Sequence, residues 1–315
     1  MTAVLIDVQD LSKSFGSFPA LTDINFQINQ GEFFGLLGPN GAGKTTTINL
    51  LTGLMRPTQG TIILDGMNLS AHPRRVKSCF GLVPQDFAFY SSLSAADNLL
   101  FFGRLYGLRG RKLQSRLHSV LENVQLSDRK KQTVATYSNG MKRRLNIAIA
   151  LLHQPKLLIL DEPTVGVDAQ SRNAIFEALH SLNREGATIL FTTHIMEKAE
   201  KYCHRVAIMD QGKIVALDTP GALINDLSRA VVVIVVDRPI DDELQQKLNP
   251  LGTLHLVQKN EMHIELIGGE KIQILGRVLE ILRRESMRIK SFSLRDSNLE
   301  TVFLHLTGKE LRDAT

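Results

Sequence analysis

Gly38-Pro39-Asn40-Gly41-Ala42-Gly43-Lys44-Thr45-Thr46 carries two glycines separated by four residues and followed by Lys and Thr, the pattern of a phosphate-binding loop. The chemistry asks for these residue types. Glycines let successive backbone N–H groups turn inward around an oxyanion with no Cβ in the way. Lys44 brings a mobile point charge to the β- and γ-phosphates, and the Thr45 hydroxyl is suited to ligate Mg²⁺. The flanks agree. Glu32-Phe33-Phe34-Gly35-Leu36-Leu37 reads as a buried strand entering the loop, and Thr46-Thr47-Ile48-Asn49-Leu50-Leu51 as a helix leaving it. Phosphates would then sit at a helix N-terminus, where the dipole and free N–H groups favour anions.

Downstream, Leu157-Leu158-Ile159-Leu160-Asp161-Glu162 is an apolar strand ending in two carboxylates. Asp161 is placed to hold Mg²⁺ through water, and Glu162 to polarise a water attacking the γ-phosphate. Between the two lies Tyr137-Ser138-Asn139-Gly140-Met141, directly before a helical run from Lys142 to Leu152. A Ser and a Gly at a helix start offer a second anion site, built from a hydroxyl and backbone N–H groups; a simple N-cap by Ser138 explains the same residues.

The order of patterns defines the organisation. Residues 1 to about 35 hold short or alternating apolar runs such as Val4-Leu5-Ile6 and Ile24-Asn25-Phe26, which read as an antiparallel β region. From about 90 to 155 the spacing of Leu99, Leu100, Leu105, Leu117, Val120 and Leu121 is helical, marking a helical insert. Strand-like runs return at Leu157–Leu160 and Thr188-Ile189-Leu190-Phe191 with helices between, a βα alternation that implies a parallel sheet. The expected fold class is therefore α/β for residues 1–225, followed by an α+β domain over 226–315. In that second part, strands at 231–236, 253–257, 262–267 and 288–294 and helices at 241–248 and 270–286 give the order βαββαβ of a ferredoxin-like domain. A closing helix puts Leu299, Val302, Phe303 and Leu306 on one face.

Bulk properties narrow the classes. At 315 residues, 43% hydrophobic and 22% charged, the chain has an ordinary globular composition. No apolar run reaches the ~20 residues of a membrane span, and Met1 to Asp7 lacks a secretory pattern. Two cysteines, Cys79 and Cys203, without metal-ligand spacing fit a reducing compartment. A cytoplasmic protein is expected, with any membrane role exerted through a partner. The net charge of +5 is spread over short clusters (Arg74-Arg75, Arg129-Lys130-Lys131, Lys142-Arg143-Arg144, Arg283-Arg284), read as solvated faces and not as a nucleic-acid surface.

Taken in order, these elements resemble the ATP-binding subunit of an ABC transporter, over about residues 3–222. Tyr137 to Met141 matches the family's signature loop, and Ala148 to Asp168 its signature helix and magnesium strand. The resemblance implies further roles. Phe15, in Ser12-Lys13-Ser14-Phe15-Gly16, corresponds to the aromatic that stacks on adenine. Gln85, in Val83-Pro84-Gln85, corresponds to the glutamine that senses Mg²⁺ and the attacking water. Asp168, in Val165-Gly166-Val167-Asp168, matches the loop coupling two sites across a dimer, and His194, in Thr192-Thr193-His194, the switch histidine at the γ-phosphate. The signature loop departs from the family at Asn139, where a glycine is usual; because Asn tolerates left-handed backbone, the loop is expected to keep its shape.

The resemblance implies ATP and Mg²⁺ as ligands and a head-to-tail homodimer. The phosphate loop of one copy faces Ser138 and Gly140 of the other, and a separate integral membrane permease is driven from the cytoplasmic face. Phe87-Ala88-Phe89-Tyr90 suits a contact with that permease, or local packing of the insert. The tail from Ser291 to Gly308 resembles exporter ATPases of the drug-resistance, polysaccharide and nodulation-factor type, with Ser297-Asn298-Leu299-Glu300 where Pro-Ser-Leu-Glu-Asp is more usual. Two alternatives stand beside export. An importer ATPase with a ligand-regulated C-terminal domain would change its ATPase rate with a small ligand. A nucleic-acid-associated ABC ATPase would bind DNA or RNA with steep salt dependence.

Overall fold

In the computed structural model the phosphate loop leaves the middle of a parallel sheet and enters a helix, as its flanks demand. The structure describes residues 3–227, 229–251, 253–258, 261–267, 271–296 and 298–307. Strands β1 (Val4–Phe15) and β2 (Phe18–Asn29) form a hairpin, and β3 (Phe33–Leu37) runs into the loop. Helix α1 (Lys44–Leu51) starts at the lysine itself, two residues ahead of the expected start. The antiparallel region extends past residue 35. Strands β4 (Gln59–Leu64) and β5 (Met67–Asn68) complete a sheet of order β2-β1-β4-β5, joined by Asp65-Gly66 with positive φ at both residues. That turn is the tight form an Asp-Gly pair favours. A short helix α2 (Pro73–Lys77) comes next.

The second sheet holds β3 with β6 (Phe80–Val83), β7 (Leu157–Leu160), β8 (Thr188–Thr193), β9 (Arg205–Asp210) and β10 (Lys213–Asp218). Its order is β10-β9-β3-β8-β7-β6, parallel except for the β9–β10 hairpin. Strands β3, β7 and β8 are buried along their whole length, which is why they read as continuous apolar runs and not as alternation. Register pairs Leu37 with Thr193, Leu160 with Phe191, and Val83 with Leu160. The carboxyl ends of β3, β8, β7 and β6 therefore lie side by side, the edge where open α/β sheets bind ligands.

The helical insert contains α3 (Ala95–Leu105), α4 (Gly110–Asn123) and α5 (Asn139–Leu151), which pack pairwise on one another. Ser94 begins α3 with a reciprocal cap: Asp97 N–H donates to its Oγ at 3.1 Å, and its hydroxyl donates to Asp97 Oδ2 at 2.6 Å. Helices α6 (Ala169–Arg184) and α7 (Met196–Tyr202) flank β8 and β9. Phe26 stacks on Phe34 at 5.5 Å, joining the two sheets, while Phe33 and Phe176 each meet Phe191 edge-on at 5.5 Å.

A second compact unit begins at Pro220, so the expected boundary at 225/226 falls inside helix α8 (Pro220–Leu227). The unit continues as β11 (Arg229–Val236), α9 (Asp242–Leu248), β12 (Thr253–Gln258), β13 (Glu261–Ile267), α10 (Lys271–Arg284), β14 (Ile289–Asp296) and α11 (Leu299–Thr307). Its strands pair antiparallel in the order β12-β13-β11-β14. Ile234, Val236, Leu244, Leu248, Val278, Leu282 and Met287 form its core. On α11, whose helical spacing puts Leu299, Val302, Phe303 and Leu306 on one face, the first three are buried and Leu306 is 42% exposed. Ser297 and Gly308 of the tail lie outside the described residues.

Candidate active site

The loop is a backbone cradle built around glycines. A Cβ on Gly38 would fall 2.4 Å from the Met209 carbonyl oxygen, and one on Gly43 would fall 2.5 Å from Leu21 Cδ2. Gly41 and Gly43 also have φ of 83° and 105°, a region that side chains rarely enter. Gly43 caps α1 with no side-chain acceptor, so the first helical N–H groups are left for an external one. The Thr45 side chain is exposed and its hydroxyl makes no hydrogen bond among the described residues. This donor set fits phosphates.

Lys44 Nζ sits over the loop, donating to the carbonyls of Gly38 at 2.7 Å and Pro39 at 3.1 Å. It also lies 3.2 Å from Glu162 Oε1, both side chains being buried. Glu162 Oε2 meets His194 Nδ1 at 3.1 Å. Three residues named separately in the sequence thus converge from the ends of β3, β7 and β8. Glu162 has φ 45°, a left-handed conformation that costs about 1–2 kcal/mol in a residue with a Cβ. Thr192, fully buried, holds it there: the Glu162 N–H donates to Thr192 Oγ1 at 2.8 Å, and that hydroxyl donates to Asp161 Oδ1 at 2.6 Å. Thr192 is a functional residue that sequence reasoning misses, although it stands two places before the histidine in Thr192-Thr193-His194. Despite Lys44, Glu162 Oε1 accepts no aligned hydrogen bond, so a buried carboxylate oxygen remains available.

Asp161 N–H donates to Val83 O at 2.9 Å, tying the end of β7 to the strand that leads into Gln85. The Gln85 side chain is exposed, and its backbone carbonyl accepts from Arg143 Nη2 at 2.7 Å. Phe15 is 48% exposed at the end of β1, with Lys13 Nζ 5.1 Å above its ring.

Ser138, Gly140 and Asp168 form a second cluster. Ser138 Oγ accepts from Met141 N–H at 3.2 Å, which is the simple cap, while Asp168 Oδ1 accepts from Ser171 N–H at 2.9 Å. Hydrogen bonds from Ser171 hold the Asp168 carboxyl below the usual carboxylate range. A Cβ on Gly140 would fall 2.4 Å from Ser171 Cβ, so the glycine permits this close approach; its φ is not left-handed. Asn139 corrects the expectation of left-handed backbone. It is the first residue of α5, and its Nδ2 donates to Gly166 O at 3.1 Å. Gly140→Ala is accordingly expected to lower stability by about 1–3 kcal/mol through overpacking, and Asn139→Gly by less than about 1 kcal/mol; urea denaturation compares the two.

No hydrogen bond or ion pair among the described residues links Ser138, Gly140 or Asp168 to Lys44, Asp161, Glu162 or His194. The basic cluster at 142–144 is not a solvated face. Arg143 is 2% exposed, and Arg144 Nη1 donates to Val124 O at 3.0 Å, because α5 is covered by β6 and the rest of the insert.

Comparison with known proteins agrees with this geometry. The ABC transporter family model matches residues 21–165. The chain is 37% identical over 311 residues to the linearmycin resistance ATP-binding protein LnrL of Bacillus subtilis, covering 98% of this chain and 100% of that one. It is 37% identical over 314 residues to the Nod factor export ATP-binding protein I of Paraburkholderia xenovorans, covering 99% and 100%. Among solved structures, the ATP-binding subunit of an ABC transporter superposes with TM-score 0.64 at 34% identity, over 70% of this chain and 92% of that one. The ATP-binding cassette MJ0796, a dimer bound to ADP and Pi, superposes with TM-score 0.61 at 25% identity, over 68% and 98%. The phosphate cradle, the two acids at the end of β7 and these likenesses lead to one conclusion: the chain belongs to the ATP-binding proteins of ABC transporters and is an ATPase.

Proposed function

We propose that this chain is the ATP-hydrolysing subunit of an exporter, working as a homodimer on the cytoplasmic face of the membrane beneath a separate integral membrane permease. The observation that carries the reading is the Lys44–Glu162–His194 cluster set against the glycine cradle. Residues 38–46 wrap the phosphates with backbone N–H groups, Lys44 neutralises the β- and γ-phosphates, and Phe15 stacks on adenine. Thr45, Gln85 and Asp161 would hold Mg²⁺, directly or through water; when bound it would offset charge on the phosphate oxygens. Glu162 takes a proton from the attacking water while His194 orients the carboxylate. The new P–O bond forms as the bond from the γ-phosphorus to the bridging oxygen breaks, releasing ADP and phosphate.

Separation of the Ser138 cluster from the Lys44 cluster supports a site completed by a second copy, whose Ser138 and Gly140 would face the γ-phosphate. Asp168 then couples the two sites. Export is supported by relatives named for linearmycin resistance and Nod factor export. No helix among the described residues is long and apolar enough to cross a membrane, and the transporter family implies a membrane permease as partner. Phe87, 39% exposed, and Tyr90, 50% exposed, suit its docking. Residues 1–225 act as the ATPase domain. The βαββαβ order of the remainder supports a ferredoxin-like accessory domain.

Affinity purification of the tagged full chain from host membranes in mild detergent tests the reading. An integral membrane protein in near-stoichiometric yield, raising ATP turnover, is the expected result. Recovery with DNA or RNA released by salt, and no membrane protein, would overturn it.

A further inference from the structure

Arg143 lies on α5, five residues after Ser138, and is almost wholly buried. Its Nη1 donates to Pro84 O and its Nη2 to Gln85 O, both at 2.7 Å. The guanidinium also lies 5.0 Å from the centre of the Phe87 ring. One residue thus spends its planar fork on two successive carbonyls and its face on the next aromatic, which a lysine ammonium cannot imitate. Asn146, three residues on and on the same side of the helix, accepts from Ala88 N–H at 3.2 Å and donates to Asp86 O at 3.4 Å. The segment 84–88 is therefore fastened to α5 along its length. At its other end it is fastened to the acid-bearing strand by the bond from Asp161 N–H to Val83 O.

Burying a guanidinium costs several kcal/mol unless its donors are met by strong acceptors. Among the described residues no carboxylate lies within hydrogen-bonding distance of Arg143; backbone carbonyls meet its two terminal nitrogens, its buried Nε has no partner there, and Asp86 and Asp161 add longer-range attraction. A packing role alone would be met by an apolar side chain. The fork is needed where two carbonyls must hold a fixed place.

We propose that Arg143 is a positioning residue that makes the Gln85 loop and the signature helix one rigid body, so that engagement of Ser138 across the dimer sets the place of Gln85 at the γ-phosphate. The inference rests on the proposed role of Gln85. Because Phe87 belongs to the same body, permease contact at Phe87–Tyr90 reaches both ends through the same guanidinium.

A double-mutant cycle on the full chain tests the link, with ATP turnover and ATP affinity measured for each protein. Arg143→Lys is expected to lower kcat about 10-fold to 100-fold, the scale of a small misplacement of a reacting group, while KM changes less than about threefold. Gln85→Ala is expected to lower kcat by a similar factor. The double variant is expected to match Gln85→Ala alone, since a residue that acts only through Gln85 loses its effect once Gln85 is gone. Asn146→Ala, which disturbs no buried charge, gives a second entry to the cycle with a kcat loss of about threefold and the same non-additivity. Multiplying effects in the double variants, or a KM rise as large as the kcat loss, would overturn the Arg143 link and leave the Gln85 role standing. Full turnover by Gln85→Ala would instead overturn the Gln85 role, and the link with it.

Discussion

Glu162→Gln is expected to bind ATP with nearly unchanged affinity and to hydrolyse it about 10²–10⁴-fold more slowly, the contribution of a positioned general base. The geometry separates the two effects. In the proposed site, binding rests on the glycine cradle and Lys44, which keeps its bonds to Gly38 O and Pro39 O without the carboxylate. Hydrolysis rests on a carboxylate oxygen held within the site, with an aligned hydrogen bond still to be accepted. An amide of the same shape keeps the Thr192 bond to its backbone N–H but cannot take a proton. With hydrolysis blocked, an ATP-bound dimer is expected to accumulate. Light scattering of the variant with ATP reads the dimer, and phosphate release reads the turnover. Hydrolysis at the normal rate would show that another group is the base.

Lys44→Ala is expected to abolish measurable hydrolysis and to weaken ATP binding as well, because in the proposed site the same ammonium would neutralise phosphate in the ground state and in the transition state. The variant also leaves the Glu162 carboxylate without its cation in a buried place. The resulting loss of stability stays below the roughly 3–5 kcal/mol of a fully orphaned buried charge, since His194 still reaches Oε2. Removing both members of the pair, as in Lys44→Ala with Glu162→Gln, is therefore expected to recover part of the melting temperature but none of the activity. Thermal melts beside phosphate release separate the two losses. Residual hydrolysis within tenfold of the native rate would contradict the assignment of Lys44.

Much of the site was legible in the chain because its requirements are local. A loop that wraps phosphate needs glycines at fixed intervals and a lysine at the helix start, and residues 38–46 state this in one short stretch. Asp161 and Glu162 were legible for a related reason. Four buried apolar residues in a row define a central parallel strand, and the side chains just past its carboxyl end stand at the ligand edge. The Asp65-Gly66 turn and the short hairpin of β4 and β5 across it were written as plainly, but the pairing that places β4 in the sheet is with β1, distant in the chain.

Other features depend on contacts between distant parts of the chain. Nothing in Lys142-Arg143-Arg144 says that the middle arginine is buried, because burial comes from the Gln85 loop and Phe87 closing over α5. Asn139 reads as a strained substitute for glycine until its helical position and its bond to Gly166 are seen. Periodicity alone also does not report that Leu306, on the same face of α11 as the buried Leu299, Val302 and Phe303, is 42% exposed.

The amino-acid sequence by itself determined the phosphate-loop pattern, the alternation of strands and helices around it, and the place of two acids just past an apolar strand, since each follows from local backbone geometry or from the period of apolar residues; His194 was singled out only by the family resemblance. Tertiary structure alone decided that Lys44 meets Glu162, that Thr192 holds Glu162 in a left-handed turn, and that Arg143 fastens the Gln85 loop to the signature helix. Those contacts join residues far apart in the chain, and their strength comes from the low dielectric and close packing that exist only once the sheet and helices have closed on one another.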